Sequence, residues 1–164
     1  MNDLTWIDSP ELAAAFKAKW PIKIDRVAPI NVAWDDIHTC INDDTIFLHP
    51  GAYIIESINY QIFPWVKEVE DKLLKTFPPR TGDVSTHLYA SLYSGAKTLG
   101  KHMDTADVFY IGGIGTTSFV INESVYEIKS GDVLYIPRSV DHTPTPTLAR
   151  AGFSIGLEHG RHDT

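Results

Sequence analysis

The second half of the chain consists of short apolar segments separated by glycine, and this pattern constrains the fold more than any other feature. Strands of this length with turns between them predict an antiparallel sandwich or barrel. Pro78 and Pro79 precede the pattern and separate it from a first half with helical periodicity. The segments lie at roughly 85–93, 105–112, 116–121, 124–128, 132–136 and 150–158.

The first half of the chain predicts helices with a few added strands. A helix is expected from Ser9 to about Lys19, because a capping side chain is followed by proline in the first turn. The clearest helix covers 64–77, where apolar residues repeat at intervals of three and four. Shorter elements are a strand from Ile22 reaching Pro29, a helix at 34–41, a strand at 45–48, and an apolar segment at 53–58 that fits either state.

The length and composition of the chain fit one globular domain. It has 164 residues, of which 43% are hydrophobic and 21% charged, enough to bury a single substantial core. We therefore expect one domain over 1–164, mainly β with flanking helices. In this arrangement 1–80 pack on a barrel formed by 81–158.

The charge and the termini of the chain exclude several classes of function. The formal net charge is −7, with no run of lysine or arginine, which argues against nucleic acid or an anionic membrane as partner. An acidic surface suits a basic substrate such as a polypeptide. The first residues lack a signal peptide, and no apolar stretch reaches the ~20 residues that span a bilayer. Cys40 is the single cysteine, so we expect a cytoplasmic protein without disulfides.

Two histidines and an aspartate form the strongest constellation in the sequence. His102 and Asp104 are two residues apart, so on an extended strand they would share one face. A turn at 130–132, an apolar strand at 133–136 and Pro137 precede His142. A set of two histidines and one carboxylate leaves three coordination positions open and typically holds non-haem Fe(II) in oxygenases. Since the chain between Asp104 and His142 has room for about four strands, it can leave this site and return to it.

Two other chemistries are disfavoured. The glycine-rich stretch 112–117 resembles a phosphate loop, but no Gly-Lys-Ser/Thr ending or helix follows it. A hairpin turn is expected there instead. No Gly-x-Ser-x-Gly motif is present, which argues against a serine hydrolase.

The stretch 102–109, His-Met-Asp-Thr-Ala-Asp-Val-Phe, resembles the first metal motif of the Jumonji-C and cupin-like 2-oxoglutarate oxygenases. The stretch from Gly131 to Pro137, together with His142, resembles their second motif. The resemblance covers roughly 85–158 and is nearest the bacterial type that hydroxylates ribosomal proteins, of which small phage members occur. It implies a double-stranded β-helix (jelly-roll or cupin barrel) that couples hydroxylation of a protein or peptide side chain to decarboxylation of 2-oxoglutarate to succinate. It also implies Fe(II), O2 and 2-oxoglutarate at a centre held by the three residues named above.

The far carboxylate of 2-oxoglutarate needs a cation or hydroxyl donors, because an unpaired buried carboxylate costs several kcal/mol. The nearest relatives carry Lys or Arg about where 116–118 lie, and this chain has none there. Arg150 is the expected substitute, since other branches of the superfamily place their arginine on the strand after the second histidine. Arg150, Gly152 and Ser154 would share a face, with room for a small ligand above the glycine.

Further residues could orient the metal ligands or donate hydrogen bonds to 2-oxoglutarate. For each of them, ordinary barrel packing or exposure to solvent is an equally good explanation. Asp107 and Asp141 flank the metal ligands and could orient the imidazoles as acceptors. The last residues, 158–164, look like a frayed tail. The candidate donors to 2-oxoglutarate are the hydroxyls of Tyr110, Thr117, Tyr89 and Tyr93.

Two alternative functions share the predicted barrel. A cupin metalloenzyme that does not use 2-oxoglutarate would keep the metal ligands and need no cation at Arg150. A non-catalytic jelly-roll binding module would bind no redox metal. Exposed edge strands within 22–60 would suit a homodimer.

Overall fold

The computed structural model describes residues 3–27 and 30–160, with the helices in the first half of the chain. The first long helix begins as predicted: the Ser9 hydroxyl accepts a hydrogen bond from the Leu12 amide at 3.2 Å, and Pro10 occupies the first helical position. No helix among the described residues is long and apolar enough to cross a lipid bilayer. The helical elements are a 3₁₀ turn (Thr5–Asp8), α1 (Pro10–Ala18), α2 (Trp34–Thr39) and α3 (Pro64–Thr76).

The described strands form two antiparallel sheets. The larger sheet has the order β1-β8-β5-β10-β4-β3-β2, and the smaller has the order β7-β6-β9. The strands are β1 (Ile22–Ile24), β2 (Ile46–His49), β3 (Ala52–Ile55), β4 (Val84–Ser91), β5 (Ala106–Ile114), β6 (Thr116–Ile121), β7 (Ser124–Lys129), β8 (Val133–Ile136), β9 (His142–Pro146) and β10 (Arg150–Glu158).

Strands β4, β5, β8 and β10 of the larger sheet and β6, β7 and β9 of the smaller sheet form a jelly roll, which confirms the predicted fold class. One edge of the smaller sheet is β9, which begins at His142. The sequence did not decide whether this histidine lies in a loop or in a strand. Pro144 and Pro146 interrupt the strand pattern, and β9 tolerates them because, among the described strands, it is an edge strand that pairs with β6. Beyond β9, the backbone of His102 forms an isolated bridge with His142 in the position of a further strand.

The larger core lies between the helices and the outer face of the larger sheet. α3 turns Val66, Val69 and Leu73 towards this core, as the periodicity predicts. The rings of Phe63 and Trp65 meet Phe153 of β10 edge-on, at centroid distances of 5.1 and 4.8 Å. The helices therefore fix the outer face of the strands whose inner face lines the cavity described below.

A second, smaller core lies between the two sheets. Its buried apolar residues come from β5 to β8. The inner faces of β4 and β10 contribute none of the buried members described for it. This division leaves one half of the barrel interior apolar and the other half available for polar side chains. The members of this core are Ala106, Val108, Tyr110, Phe119, Ile121, Ile128, Leu134 and Ile136.

Several local predictions are wrong in detail. Of the stretch 112–117, Gly112 and Gly113 belong to β5, and the chain turns at Gly115, where φ is 67°. The ambiguous segment at 53–58 contributes only to β3. β1 ends at Ile24, and Pro29, which the predicted strand was to reach, lies outside the described residues.

The larger sheet has edges at β1 and β2, both inside the range in which exposed edge strands were expected. On β2 the side chain of Phe47 is 62% exposed. The homodimer itself stays a prediction.

Candidate metal centre

The three predicted ligands lie together at one end of the jelly roll. One donor atom from each of His102, Asp104 and His142 lies within 4.8 Å of the other two. The Asp104 carboxylate is 3.9 Å from Nε2 of His102 and 3.4 Å from Nε2 of His142. His142 is buried, whereas the other two are partly exposed, so the group is open to solvent on one side.

The backbone brings these residues together in a way that differs from the expected strand. His102 and Asp104 precede β5 and belong to no described strand. Instead, the His102 amide donates to the His142 carbonyl at 3.0 Å, and the His142 amide donates back at 2.8 Å. The Ser139 amide donates to the Asp104 carbonyl at 2.8 Å. Backbone hydrogen bonds therefore join the two distant parts of the site directly.

Backbone carbonyls, rather than carboxylates, orient the two imidazoles. Nδ1 of His102 lies 2.8 Å from the Gly100 carbonyl, and Nδ1 of His142 lies 3.0 Å from the Val140 carbonyl. Since a carbonyl only accepts, each Nδ1 carries a proton, so in the neutral imidazoles Nε2 has the lone pair that a metal ion can bind.

The structure contradicts the direct role expected for the two flanking aspartates, which was to accept hydrogen bonds from the imidazoles of His102 and His142. Asp141 pairs with Lys101 at 3.6 Å, where both side chains are exposed. Asp107 is fully buried and bonded to Tyr135 and His159, away from the imidazoles.

The charges at the site stabilise one another. Burial opposes ionisation of Asp104, but the hydrogen bond from His142 and the nearby histidines hold the pKa of its carboxyl below the usual value. Burial likewise opposes protonation of His142, but Asp104 and the Val140 carbonyl together raise the pKa of its imidazole. The carboxylate is thus ionised at neutral pH, as a metal ligand must be.

A cavity that is open to solvent extends from these residues into the barrel. Its apolar wall comes from Val108, Phe119 and Ile136. Its polar lining includes Tyr89 and Arg150. This mixture of an apolar wall with a few convergent polar groups is typical of small-molecule sites.

Arg150 is a buried cation without an internal counter-charge. Its side chain is nearly inaccessible, and within the described part of the chain no carboxylate pairs with it. Nη1 donates to the Tyr110 hydroxyl at 3.1 Å, and the guanidinium lies 5.8 Å from the centre of the Tyr89 ring. Nε has no hydrogen-bond partner among the residues that the structure describes. Because an unpaired buried charge is costly, this arrangement fits an anionic ligand in the cavity.

The structure brings most of the candidate hydroxyl groups to this cavity. Tyr89, Tyr110 and Ser154 line it, and Thr117 lies behind Tyr110, with its hydroxyl 3.1 Å from that of the tyrosine. Burial, reinforced by the Asp104 charge, raises the pKa of Tyr89 to about 12, so its hydroxyl stays a donor. Tyr93 follows the end of β4, is 43% exposed, and does not line the cavity.

The space above Gly152 is not free for a ligand, contrary to expectation. A Cβ at this position would collide with the Tyr110 hydroxyl and ring. The glycine is therefore needed so that Tyr110 can cross β10 and reach Arg150. Any ligand must lie on the other side of that tyrosine, towards the metal ligands.

Sequence reasoning missed two groups of residues at the site. His87 pairs in register with Ser154 and lines a polar cleft that adjoins the cavity at Asp104. Its spacing of two from Tyr89 on β4 is the signal that places both on one face. The segment 97–99, which includes Lys97, covers part of the cavity, and nothing in its sequence indicates this.

No family model and no curated protein sequence matches the chain. Solved structures do match it in fold. The ribosomal oxygenase YcfD from Escherichia coli in complex with cobalt and 2-oxoglutarate aligns with a TM-score of 0.75 and 16% identity, over 99% of this chain and 54% of that chain. The same protein with cobalt and succinic acid gives a TM-score of 0.71 and 18% identity, over 99% and 53%.

These similarities establish the fold: a double-stranded β-helix of the type found in Jumonji-C and cupin-like oxygenases. A further crystal structure of the E. coli protein gives a TM-score of 0.74 and 16% identity, over 99% of this chain and 54% of that chain. The chain therefore spans about half the length of the neighbours it matches.

Proposed function

We propose that the chain is an Fe(II)- and 2-oxoglutarate-dependent dioxygenase that hydroxylates a protein side chain. The observation that carries this proposal is the buried guanidinium of Arg150, which has no carboxylate partner among the described residues and lies in the cavity that also contains His102, Asp104 and His142. A metal centre alone would need no such cation. A dianion that reaches from the metal ligands to Arg150 accounts for both features.

The donor set fits the metal. Two imidazoles with free Nε2 atoms and one ionised carboxylate are the ligands that non-haem Fe(II) prefers. Bound there, Fe(II) supplies the redox chemistry that couples O2-dependent decarboxylation of 2-oxoglutarate to hydroxylation of a C–H bond. YcfD has been crystallised with cobalt and 2-oxoglutarate, which supports this choice of metal and cosubstrate.

The other residues of the cavity bind and orient the cosubstrate. Arg150 pairs with the far carboxylate, and Tyr110 holds the guanidinium in place through its hydroxyl. Tyr89 and Ser154 offer further hydroxyl donors on the same face. Val108, Phe119 and Ile136 exclude water from the opposite side. Exclusion of water strengthens the pairing of carboxylate and guanidinium.

The choice of a protein side chain as substrate rests on similarity alone. YcfD is a ribosomal oxygenase, and this chain spans about half of it. The polar cleft that contains His87 and adjoins Asp104 offers a second approach to the metal ligands, separate from Arg150. Specificity in such folds is a property of the surrounding loops and is assigned by experiment.

The proposal is tested by measuring Fe(II)-dependent formation of succinate from 2-oxoglutarate, together with Co(II) binding under anaerobic conditions. The unmodified chain is expected to show both, and Asp104→Ala is expected to lose both. Asp43→Ala, which removes an exposed carboxylate in a turn, is the matched control and should behave as the parent.

The alternatives give different results in the same experiment. Metal binding without succinate would indicate a cupin enzyme that does not use 2-oxoglutarate. The absence of both would leave a non-catalytic jelly-roll module. Either result overturns the proposal.

A further inference from the structure

Asp107 is a fully buried carboxylate on the outer side of β5, three positions after the metal-ligand aspartate. Its oxygens receive four kinds of donor. The Tyr135 hydroxyl donates at 2.8 Å, Nε2 of His159 lies at 2.7 Å, Nζ of Lys19 lies at 3.2 Å, and the Arg138 amide donates at 3.3 Å. The donors come from the end of α1, from β8, from the turn after β8 and from the residue after β10.

This network keeps Asp107 ionised. Burial opposes the charge, but the Tyr135 hydrogen bond and the Lys19 ammonium hold the pKa of the carboxyl below its ordinary value. His159 also belongs to this hydrogen-bond network, although the sequence predicted a frayed tail from 158 onwards. The residue is instead largely buried and anchored to Asp107; residues 161–164 lie outside the described part of the chain.

The turn at 137–141 connects this network to the metal centre. Within the turn, the Arg138 amide donates to Asp107, and the next amide, of Ser139, donates to the Asp104 carbonyl. The next residue, Val140, accepts from Nδ1 of His142 through its carbonyl. The three consecutive residues 138–140 therefore link the buried carboxylate of Asp107 to the backbone of Asp104 and to the imidazole of His142.

The turn needs external support to keep this shape. Ser139 has φ of 61°, a left-handed conformation that residues with a side chain rarely adopt. Such a conformation persists where surrounding contacts fix it. The amides of Arg138 and Ser139 make such contacts through their hydrogen bonds to the segment 104–107.

We infer that Asp107 is a positioning residue for the metal centre, acting through the turn at 137–141 on the orientation of His142. The inference rests on the proposed function, because it assumes that a metal binds at His102, Asp104 and His142. It goes beyond that function because His159, the residue after β10, would influence metal affinity through its contact with Asp107.

Glu70 provides a matched control for burial. This carboxylate, on α3, is also nearly inaccessible, and it accepts hydrogen bonds from Tyr60 at 2.9 Å and Thr86 at 2.6 Å. It has no described hydrogen bond to the turn or to a metal ligand. A buried carboxylate whose role is only structural should therefore behave like Glu70.

The experiment compares Asp107→Asn with Glu70→Gln in the full chain, by anaerobic titration with Co(II) and by the visible absorption of the Co(II)-saturated protein. Asp107→Asn is expected to bind Co(II) about 10-fold more weakly and to show a changed spectrum at saturation. Glu70→Gln is expected to keep both the affinity and the spectrum of the parent. A purely structural loss would lower the folded fraction without changing the spectrum of the loaded protein.

A second pair of variants covers the case in which Asp107→Asn does not fold. His159→Gln keeps a side-chain donor to Asp107 and should retain most of the affinity, whereas His159→Leu removes it and should weaken Co(II) binding. If the parent binds Co(II) and the folded variants bind it with the same affinity and spectrum, the positioning role is overturned while the proposed function stands. If the parent itself binds no Co(II), the metal centre is overturned and the positioning role with it.

Discussion

The interior of the jelly roll has two unlike halves. In the apolar half, defined here as the core formed by β5 to β8, residues such as Leu134 and Ile128 are almost completely buried. In the polar half, defined as the inner faces of β4 and β10, His87, Tyr89 and Arg150 face the cavity and the adjoining cleft. Both halves belong to one barrel and adjoin where β5 of the apolar half pairs with β10 of the polar half.

The difference indicates how the barrel divides stability from binding. Burial of apolar side chains stabilises the fold by roughly 25 cal/mol for each Å² removed from water. A buried guanidinium without a counter-charge opposes folding, because it loses its hydration and gains no ion pair in return. The polar half therefore carries a cost in stability that only a ligand offsets. Substitutions in the two halves should have opposite effects on stability.

The largest effect on stability is expected from Leu134→Ala in the apolar half. Leu134 is completely buried between the sheets, and removal of such a side chain typically costs about 2–5 kcal/mol in the free energy of unfolding. Urea denaturation measures this loss. Isothermal titration should show that the folded variant binds 2-oxoglutarate, with Co(II) present, as tightly as the parent. A large loss of ligand affinity with unchanged stability would contradict the division between the halves.

Replacement of the unpaired cation should have the reverse effect. Arg150→Met keeps most of the volume of the side chain but removes the charge, so the affinity for 2-oxoglutarate should fall about 100-fold, or roughly 2.7 kcal/mol. The free energy of unfolding without ligand should stay the same or rise, because replacement of a buried charge by an apolar side chain is often neutral or stabilising. Co(II) affinity without cosubstrate is the internal control and should not change. An unchanged affinity for 2-oxoglutarate would assign its far carboxylate to another residue.

Much of this division follows from the sequence. Glycine spacing and alternating strands predicted the barrel, and helical periodicity predicted α3, because both patterns reflect burial along one element. The candidate metal ligands could be named because few residue types bind Fe(II) and because His102 and Asp104 are only two residues apart. Arg150 was named because it is a cation on the strand after the second histidine.

Contacts between distant segments could not be predicted in the same way. The expectation that His102 and Asp104 lie on one strand was wrong, because the backbone bridge between His102 and His142 arranges them instead. The burial of Asp107 depends on donors that are far away in the chain, such as Lys19. Local patterns carry no information on such pairs. For the same reason, the sequence did not predict that Tyr110 fills the space above Gly152.

A smaller effect is expected from Tyr110→Phe, at the boundary between the halves. The Tyr110 hydroxyl accepts a hydrogen bond from Arg150 and lies within hydrogen-bond distance of the Thr117 hydroxyl. Its removal leaves a second guanidinium nitrogen without a partner and should lower stability by about 1–3 kcal/mol. The affinity for 2-oxoglutarate should fall about 10-fold, since the guanidinium loses its orientation. Thr117→Val is the control for loss of the hydroxyl pair alone, and its cosubstrate affinity should stay near that of the parent.

The smallest effect concerns how the two buried charges respond to acid. Burial opposes the charge of Asp107, but, unlike Arg150, this residue has a partner of opposite charge, Lys19, which together with the Tyr135 hydroxyl lowers the pKa of its carboxyl from the ordinary value of 3.8. A carboxyl with a depressed pKa stabilises the fold above its unfolded pKa, and this contribution is lost as the pH falls through the lower, folded pKa. The difference in unfolding free energy between the parent and Asp107→Asn should therefore be constant from pH 6 to about 5 and shrink below about 4. The corresponding difference for Arg150→Met should not change in this range, because arginine does not titrate there. Urea denaturation at each pH measures both differences. If the two differences changed with pH in parallel, the distinction between a buried charge with an ionic partner and one without would be contradicted.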